Sequence, residues 1–344
     1  MTRAADSVES GLARYRGRVG DALHHYFPER EPRKHLYDLV RTYPARGGKG
    51  LRPALCMATA GAFGANPERV LASAAAIEMF HNGFLIHDDI EDGSDLRRGC
   101  ATLHREHGLA LAVNAGDAVF ALALRPILDN LRLLGPALTH TIAREFEHLV
   151  LECVEGQAIE LGWIRDNACA LKPADYLHMC LKKTCWYTAI HPCRIGALIG
   201  SGGGFAPGRL DRFGFFLGAA FQIQDDLLNL KEERGNYGKE LAGDIFEGKR
   251  TLMLIHLLPT LPRRDRSWLK RFLAVPRAER TRGDVSRVLA LMEEHGSIEF
   301  ARRCSGFLAG AALSEFSRLF GGCPDTADRR FLNDLILYMI ERDL

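Results

Sequence analysis

Long apolar runs are absent from this sequence of 344 residues. No segment approaches the roughly 18 uninterrupted apolar residues that suggest a membrane span. The N-terminal MTRAADSVESGLARYRGRVG mixes acids and bases where a secretory signal needs an apolar centre. No membrane span and no export signal are therefore expected. An excess of one charge is missing too: 45 Lys and Arg face 43 Asp and Glu, a net charge of +2. That balance gives nucleic-acid binding no support as the main function, so an acidic substrate would have to be recognised locally. The nine cysteines, at 56, 100, 153, 169, 180, 185, 193, 304 and 323, form no CxxC pair and no regular framework. A reducing cytoplasm is the expected setting. No internal repeat shows and no linker divides the chain, so a single domain over residues 1–344 is expected. With 47% hydrophobic residues and 26% charged, disorder over most of the length is excluded.

What the chain does have is helical periodicity. Leu71, Ala74, Ala75 and Met79, followed by Leu85 and Ile86, recur at spacings of three and four, while strand-like alternation is scarce. Segments 69–92, 109–134, 138–162, 208–230 and 286–320 are predicted as long helices, with Gly- and Pro-rich breakers between most of them. An all-α bundle of long, mostly antiparallel helices is the simplest architecture. The basic stretch Arg263 to Arg282 reads as a solvated edge.

The most informative segment is LIHDDIEDGSDLRRG at 85–99, where an apolar helical run ends in Asp88, Asp89 and Asp92. Asp88 and Asp92 are four apart, hence on one helix face, and Asp95 would extend the stripe if the helix continued. Like charges so stacked repel and oppose the macrodipole at a helix C-terminus. Hard oxygen ligands at this spacing suit Mg²⁺ that keeps water and bridges to phosphate. One such cluster alone reads equally well as an exposed helix end. A second, FQIQDDLLN at 221–229, repeats the arrangement with Asp225 and Asp226, and has Asn229 in the place of Asp92. Bases follow both: Arg97 and Arg98 after the first, Lys239 and Lys249 after the second. Carboxylates for metal and cations for the remaining diphosphate charge form one vocabulary. GGKGLRP at 47–53 adds Lys49 and Arg52 beside a glycine-rich turn, a weak signal alone and a second anion site in this company.

Together these motifs resemble the trans-isoprenyl diphosphate synthases, all-helical enzymes that join isopentenyl diphosphate to an allylic diphosphate. GGKGLRP, DDIED with LRRG, TLH, NAGD, EGQ, KKT, FQIQDD and GKELAGDIFEGKRT occur in the family's order over about residues 35 to 255. The resemblance implies that Asp88, Asp92 and Asp225, with Asp89 and Asp226 close by, hold Mg²⁺ against the allylic diphosphate. It implies that Arg97, Lys183 and Lys239 contact that diphosphate, that Lys249 lies near the metals, and that Thr184 and Gln222 face the reacting carbons. Lys49, Arg52, His81 and Arg98 would form the metal-free isopentenyl site. A histidine within an apolar helix is more often a satisfied core group, and Thr184 and Gln222 read equally as polar caps of kinked helices.

The reaction so implied is loss of diphosphate from dimethylallyl, geranyl or farnesyl diphosphate, attack by the isopentenyl double bond, and proton loss to the departing diphosphate. A class I terpene cyclase would have no use for the second diphosphate site. A non-catalytic partner subunit typically loses acids that this chain keeps. Asn229, uncharged, should weaken metal binding at the second cluster. Product length should be set on the helix leading to Asp88, where Phe84 narrows the tunnel, Gly83 opens its neighbour and Phe80 lies two turns back. Geranylgeranyl diphosphate is the expected product, farnesyl diphosphate the next, and a homodimer the expected assembly.

Overall fold

The computed structural model describes residues 3–230 and 241–341, and in them helices account for nearly all regular structure. In chain order they are α1 (Arg3–Tyr26), α2 (Asp38–Ala45), α3 (Leu51–Ala62), α4 (Glu68–Glu91), α5 (Leu103–His107), α6 (Leu109–Leu134), α7 (Pro136–Arg165), α8 (Pro173–Cys180), α9 (His191–Gly200), α10 (Asp211–Asn229), α11 (Gly243–Glu247), α12 (Leu252–Thr260), α13 (Arg263–Ala274), α14 (Arg282–Glu294), α15 (Ser297–Phe320) and α16 (Ala327–Glu341). Two-residue strands, β1 (Leu96–Arg97) and β2 (Cys100–Ala101), pair antiparallel. The all-α expectation is met. α4 packs along α6, α3 along α9, and α10 against α15 and the segment entering α9.

α4 is central because it is apolar all round rather than on one stripe. Ala72, Ala74, Ala75, Ala76, Ile77, Met79 and Ile86 are all buried, and the four alanines admit close neighbours. Truncating a fully buried member such as Ile86 to alanine should cost about 2–5 kcal/mol, from lost transfer energy and the cavity left behind. α10 carries a similar core run, Phe213, Leu217, Ala219, Ala220 and Ile223, and so anchors the second acidic cluster in the core as α4 anchors the first.

Two expectations change. Segment 286–320 is two helices, because Gly296 adopts a left-handed conformation (φ +67°) between α14 and α15. Asp95 does not extend the acidic stripe: α4 stops before Gly93 (φ +63°), and Asp95 pairs with Arg105 at 2.6 Å. α6 is, by length and composition alone, apolar enough to cross a membrane, and in this fold it packs along α4. Its Leu124, Leu128 and Leu131 are exposed at helical spacing, as are Leu151 and Val154 on α7.

Candidate active site

The acidic ends of α4 and α10 open on one cavity of about 490 Å³, lined by Asp88, Asp225 and Asp226. Asp226 is buried, accepts from the Tyr176 hydroxyl (2.7 Å) and Gln222 Nε2 (2.8 Å), and is pushed up to about 7 by burial. Gln222 Oε1 in turn accepts from the Thr184 hydroxyl at 2.8 Å. A polar chain thus runs from the second acidic cluster to the threonine at the cavity wall.

Asp92 sits in a smaller adjoining recess, where its Oδ2 accepts from Lys249 Nζ at 2.6 Å. Its other oxygen, Oδ1, is buried without a partner among the described residues, and burial raises the carboxyl to about 7. Among the described residues no three of these acids converge as a ready cage. Hard oxygens around an open cavity, one of them orphaned, fit Mg²⁺ that takes its remaining ligands from water and diphosphate. Asp89 differs from the expectation. It does not line the cavity; it is fully buried, and its oxygens are taken by the Tyr43 hydroxyl and by Arg97. It anchors Arg97, whose guanidinium also reaches Asp88 at 3.3 Å.

The cations come from three directions. The backbone around Leu181–Ile190 winds as a wide π-helix, a rare form that is frequent at functional sites, and presents Lys183, Thr184 and Tyr187 to the cavity. α7 can approach this segment because Gly156 has no side chain: a Cβ there would lie 2.1 Å from the Lys183 backbone nitrogen. Lys183 bonds Glu160 and lies 3.4 Å from Asp88. Burial works against its charge, but Glu160 and Asp88 outweigh it and hold the amine above the ordinary lysine value. Lys249 is held likewise by Asp92 and by Glu247 at 2.8 Å. Lys239 lies outside the described residues. Asn229 borders the same recess as Asp92, and its amide oxygen accepts from the Asp244 backbone N–H at 3.0 Å, which ties it to the start of α11.

A second group of bases gathers beside this site. Arg98 stands at the tip of the β1–β2 hairpin, where it and Gly99 both take positive φ (55° and 76°), as the preferred two-residue hairpin turn requires. Its Nη1 donates to the Tyr43 carbonyl at 2.9 Å. Arg52 stacks on the Tyr187 ring (4.2 Å to the centroid), donates to its hydroxyl, and lies 3.3 Å from His81 Nε2. Burial, then Arg52 and Arg98, push His81 well below the ordinary histidine range, so it is neutral at pH 7 and can accept from Arg52. Arg52, His81 and Arg98 all line the cavity. Lys49 instead borders a separate apolar recess beside Leu12, Leu55 and Leu335.

At the apolar end, Phe84 lines the cavity while Phe80 is buried. Gly83 does not open a neighbouring space as expected. Phe120, from α6, occupies the place its side chain would take.

A family model described as polyprenyl synthetase matches residues 33–292. This chain belongs to the polyprenyl synthetase family. Over 98% of its length it is 29% identical to a geranylfarnesyl diphosphate synthase of Natronomonas pharaonis, covering 99% of that protein. A geranylgeranyl diphosphate synthase of Sulfolobus acidocaldarius is 35% identical over 70% of this chain and 71% of its own. Among solved structures, a geranylgeranyl pyrophosphate synthetase from Pyrococcus horikoshii superposes with a TM-score of 0.84 at 28% identity, covering 97% of this chain and 99% of that one.

Within this polyprenyl synthetase, several site residues escape motif reading. Glu160 lies three residues past the EGQ motif and would have been found by asking what neutralises a buried Lys183. Glu78, one turn before His81, has its carboxyl raised by burial against the pull of Arg52 and Arg98, and balances those two arginines. Tyr176, Tyr187 and Phe120 gave no signal, since single aromatics in helices read as core.

Proposed function

We propose that this polyprenyl synthetase is a short-chain trans-prenyltransferase that condenses isopentenyl diphosphate with an allylic diphosphate, with geranylgeranyl diphosphate as the main product. The observation that carries this reading is one cavity flanked by two unlike polar sites: paired acidic helix ends with Lys183 and Lys249, and a carboxylate-poor cluster of Arg52, His81 and Arg98. A cyclase acting on one diphosphate has no use for the second.

Asp88, Asp92 and Asp225 would hold Mg²⁺, which supplies charge stabilisation to the departing diphosphate. Lys183 and Lys249, whose present partners are carboxylates, turn to the diphosphate oxygens, and their fixed positive charge is preorganised where negative charge develops. Arg97, locked by Asp89, holds Asp88 in register. The Thr184 hydroxyl and Gln222, already bonded to each other, offer oxygen dipoles to the allylic cation. Arg52 and Arg98 orient isopentenyl diphosphate so that its double bond attacks that cation, and the released diphosphate takes the proton. No protein nucleophile is required.

The exposed stripe Leu124, Leu128 and Leu131 on one face of α6, with Leu151 and Val154 exposed on α7, supports a homodimer, because exposed apolar side chains at helical spacing offer a surface for protein contact. Nine free thiols support a reducing, cytoplasmic setting. The test is incubation of the purified chain with isopentenyl diphosphate, Mg²⁺ and geranyl or farnesyl diphosphate. A lengthened prenyl diphosphate supports the reading; a hydrocarbon product, or no turnover, refutes it.

A further inference from the structure

We infer that Phe120 of α6, rather than the residues of α4 alone, sets the point at which the growing tail stops. This rests on the reading of the cavity as a prenyl-tail site. α4 offers no side chain at Gly83, and a Cβ built there would meet the edge of the Phe120 ring at 3.0–3.2 Å. The volume that a glycine on the tunnel helix would be expected to leave open is therefore filled from the neighbouring helix. The ring is wedged: its centroid lies 5.0 Å from that of Phe84 in an edge-to-face contact, 5.4 Å from His87 and 5.9 Å from Phe80. Phe84 and Phe120 line the cavity, whereas Phe80 and Phe146, whose rings stack 5.6 Å apart, are buried. An advancing tail meets the Phe84–Phe120 pair first.

The two rings are not equivalent. Truncating Phe84 leaves the Phe120 edge in front of Gly83. Truncating Phe120 exposes a glycine, which has nothing with which to refill the space, and close packing keeps the surrounding rings from collapsing into it. Phe120 is a specificity-determining residue for product length.

The full chain is assayed with isopentenyl and farnesyl diphosphates and Mg²⁺, and product lengths are read by mass spectrometry. Phe120→Ala should lengthen the product by at least one isoprene unit and by more than Phe84→Ala does. Phe120→Leu, which keeps the core filled should the alanine variant fail to fold, should shift the distribution the same way. Gly83→Phe in the Phe120→Ala background should return the product to its original length, since a ring then fills the same space from the other helix. An active Phe120→Ala or Phe120→Leu protein with an unchanged distribution overturns the inference, as does a swap variant that keeps the longer product. A wild-type chain that forms no prenyl diphosphate overturns the functional reading on which it rests, and that failure is recognised before any variant is measured.

Discussion

Replacing Arg98 by alanine tests the division of the cavity into two diphosphate sites. The guanidinium sits at a hairpin tip, gives one hydrogen bond to the Tyr43 carbonyl, and otherwise faces the cavity beside Arg52 and His81. Burial lowers its affinity for a proton, Glu78 works against this, and Arg97 and then Arg52 add to it, so a bound anion would favour its charge. A hydrogen bond to a charged group contributes about 1.5–3 kcal/mol. Its loss should lower kcat/KM for isopentenyl diphosphate by about tenfold to about 150-fold. The scaffold should suffer less. Glu78 keeps the field of Arg52, and because burial raises its carboxyl it can take up a proton once Arg98 is gone. The assay is steady-state kinetics with each substrate varied while the other saturates, together with a thermal melt. Lys183→Ala supplies the contrast, since that amine lies against Asp88 and Glu160 and its loss should damage use of the allylic substrate. If Arg98→Ala and Lys183→Ala weakened both substrates equally, the two-site division would be wrong.

Asp88→Ala and Asp225→Ala should each cut turnover by orders of magnitude with the helical circular dichroism retained, and excess EDTA should abolish activity; full turnover without divalent metal would refute the assignment. Light scattering should return a dimer mass, and Leu128→Glu, which places a charge in the exposed stripe, should shift it toward monomer; a wild-type monomer at micromolar concentration would contradict the interface. Away from the active site, His191 is buried against Glu145 (2.7 Å), with Arg194, His148 and Trp186 around it, and burial lowers its proton affinity. The unfolded chain then binds the His191 proton more readily than the folded one, so this residue's contribution is intact above the unfolded value of about 6.5 and is lost as pH falls below it. Melting temperature should accordingly drop less between pH 7.5 and 5.5 in His191→Gln than in wild type, and parallel curves would exclude His191 as the cause.

The fold class and the chemistry were legible in the sequence because both are local patterns. Spacings of three and four gave α4 and α6 nearly to the residue, and acids four apart on an apolar helix imply a shared face wherever the helix lies. The break at Gly296 was missed because the apolar period passes through it; only the left-handed backbone there divides α14 from α15.

Motif reading picked out Asp88, Asp225, Lys183 and Arg98, which the fold gathers around one cavity, but it passed over Glu160 and Tyr187 there and placed Lys49 with them; the tertiary structure decided where each side chain lies. Asp88 and Asp89 are adjacent and chemically identical, yet a helix turns successive side chains by about 100°. One therefore lines the cavity and the other is sealed under Tyr43 and Arg97. Asn229 reads as a lost ligand until the α11 backbone is seen to need its amide oxygen. Gly83 reads as open space until α6 brings in a ring from 37 positions along the chain. Covalent order dictates periodicity, charge and spacing, whereas occupancy of space depends on which distant residue packs there, and that is settled only when the helices meet.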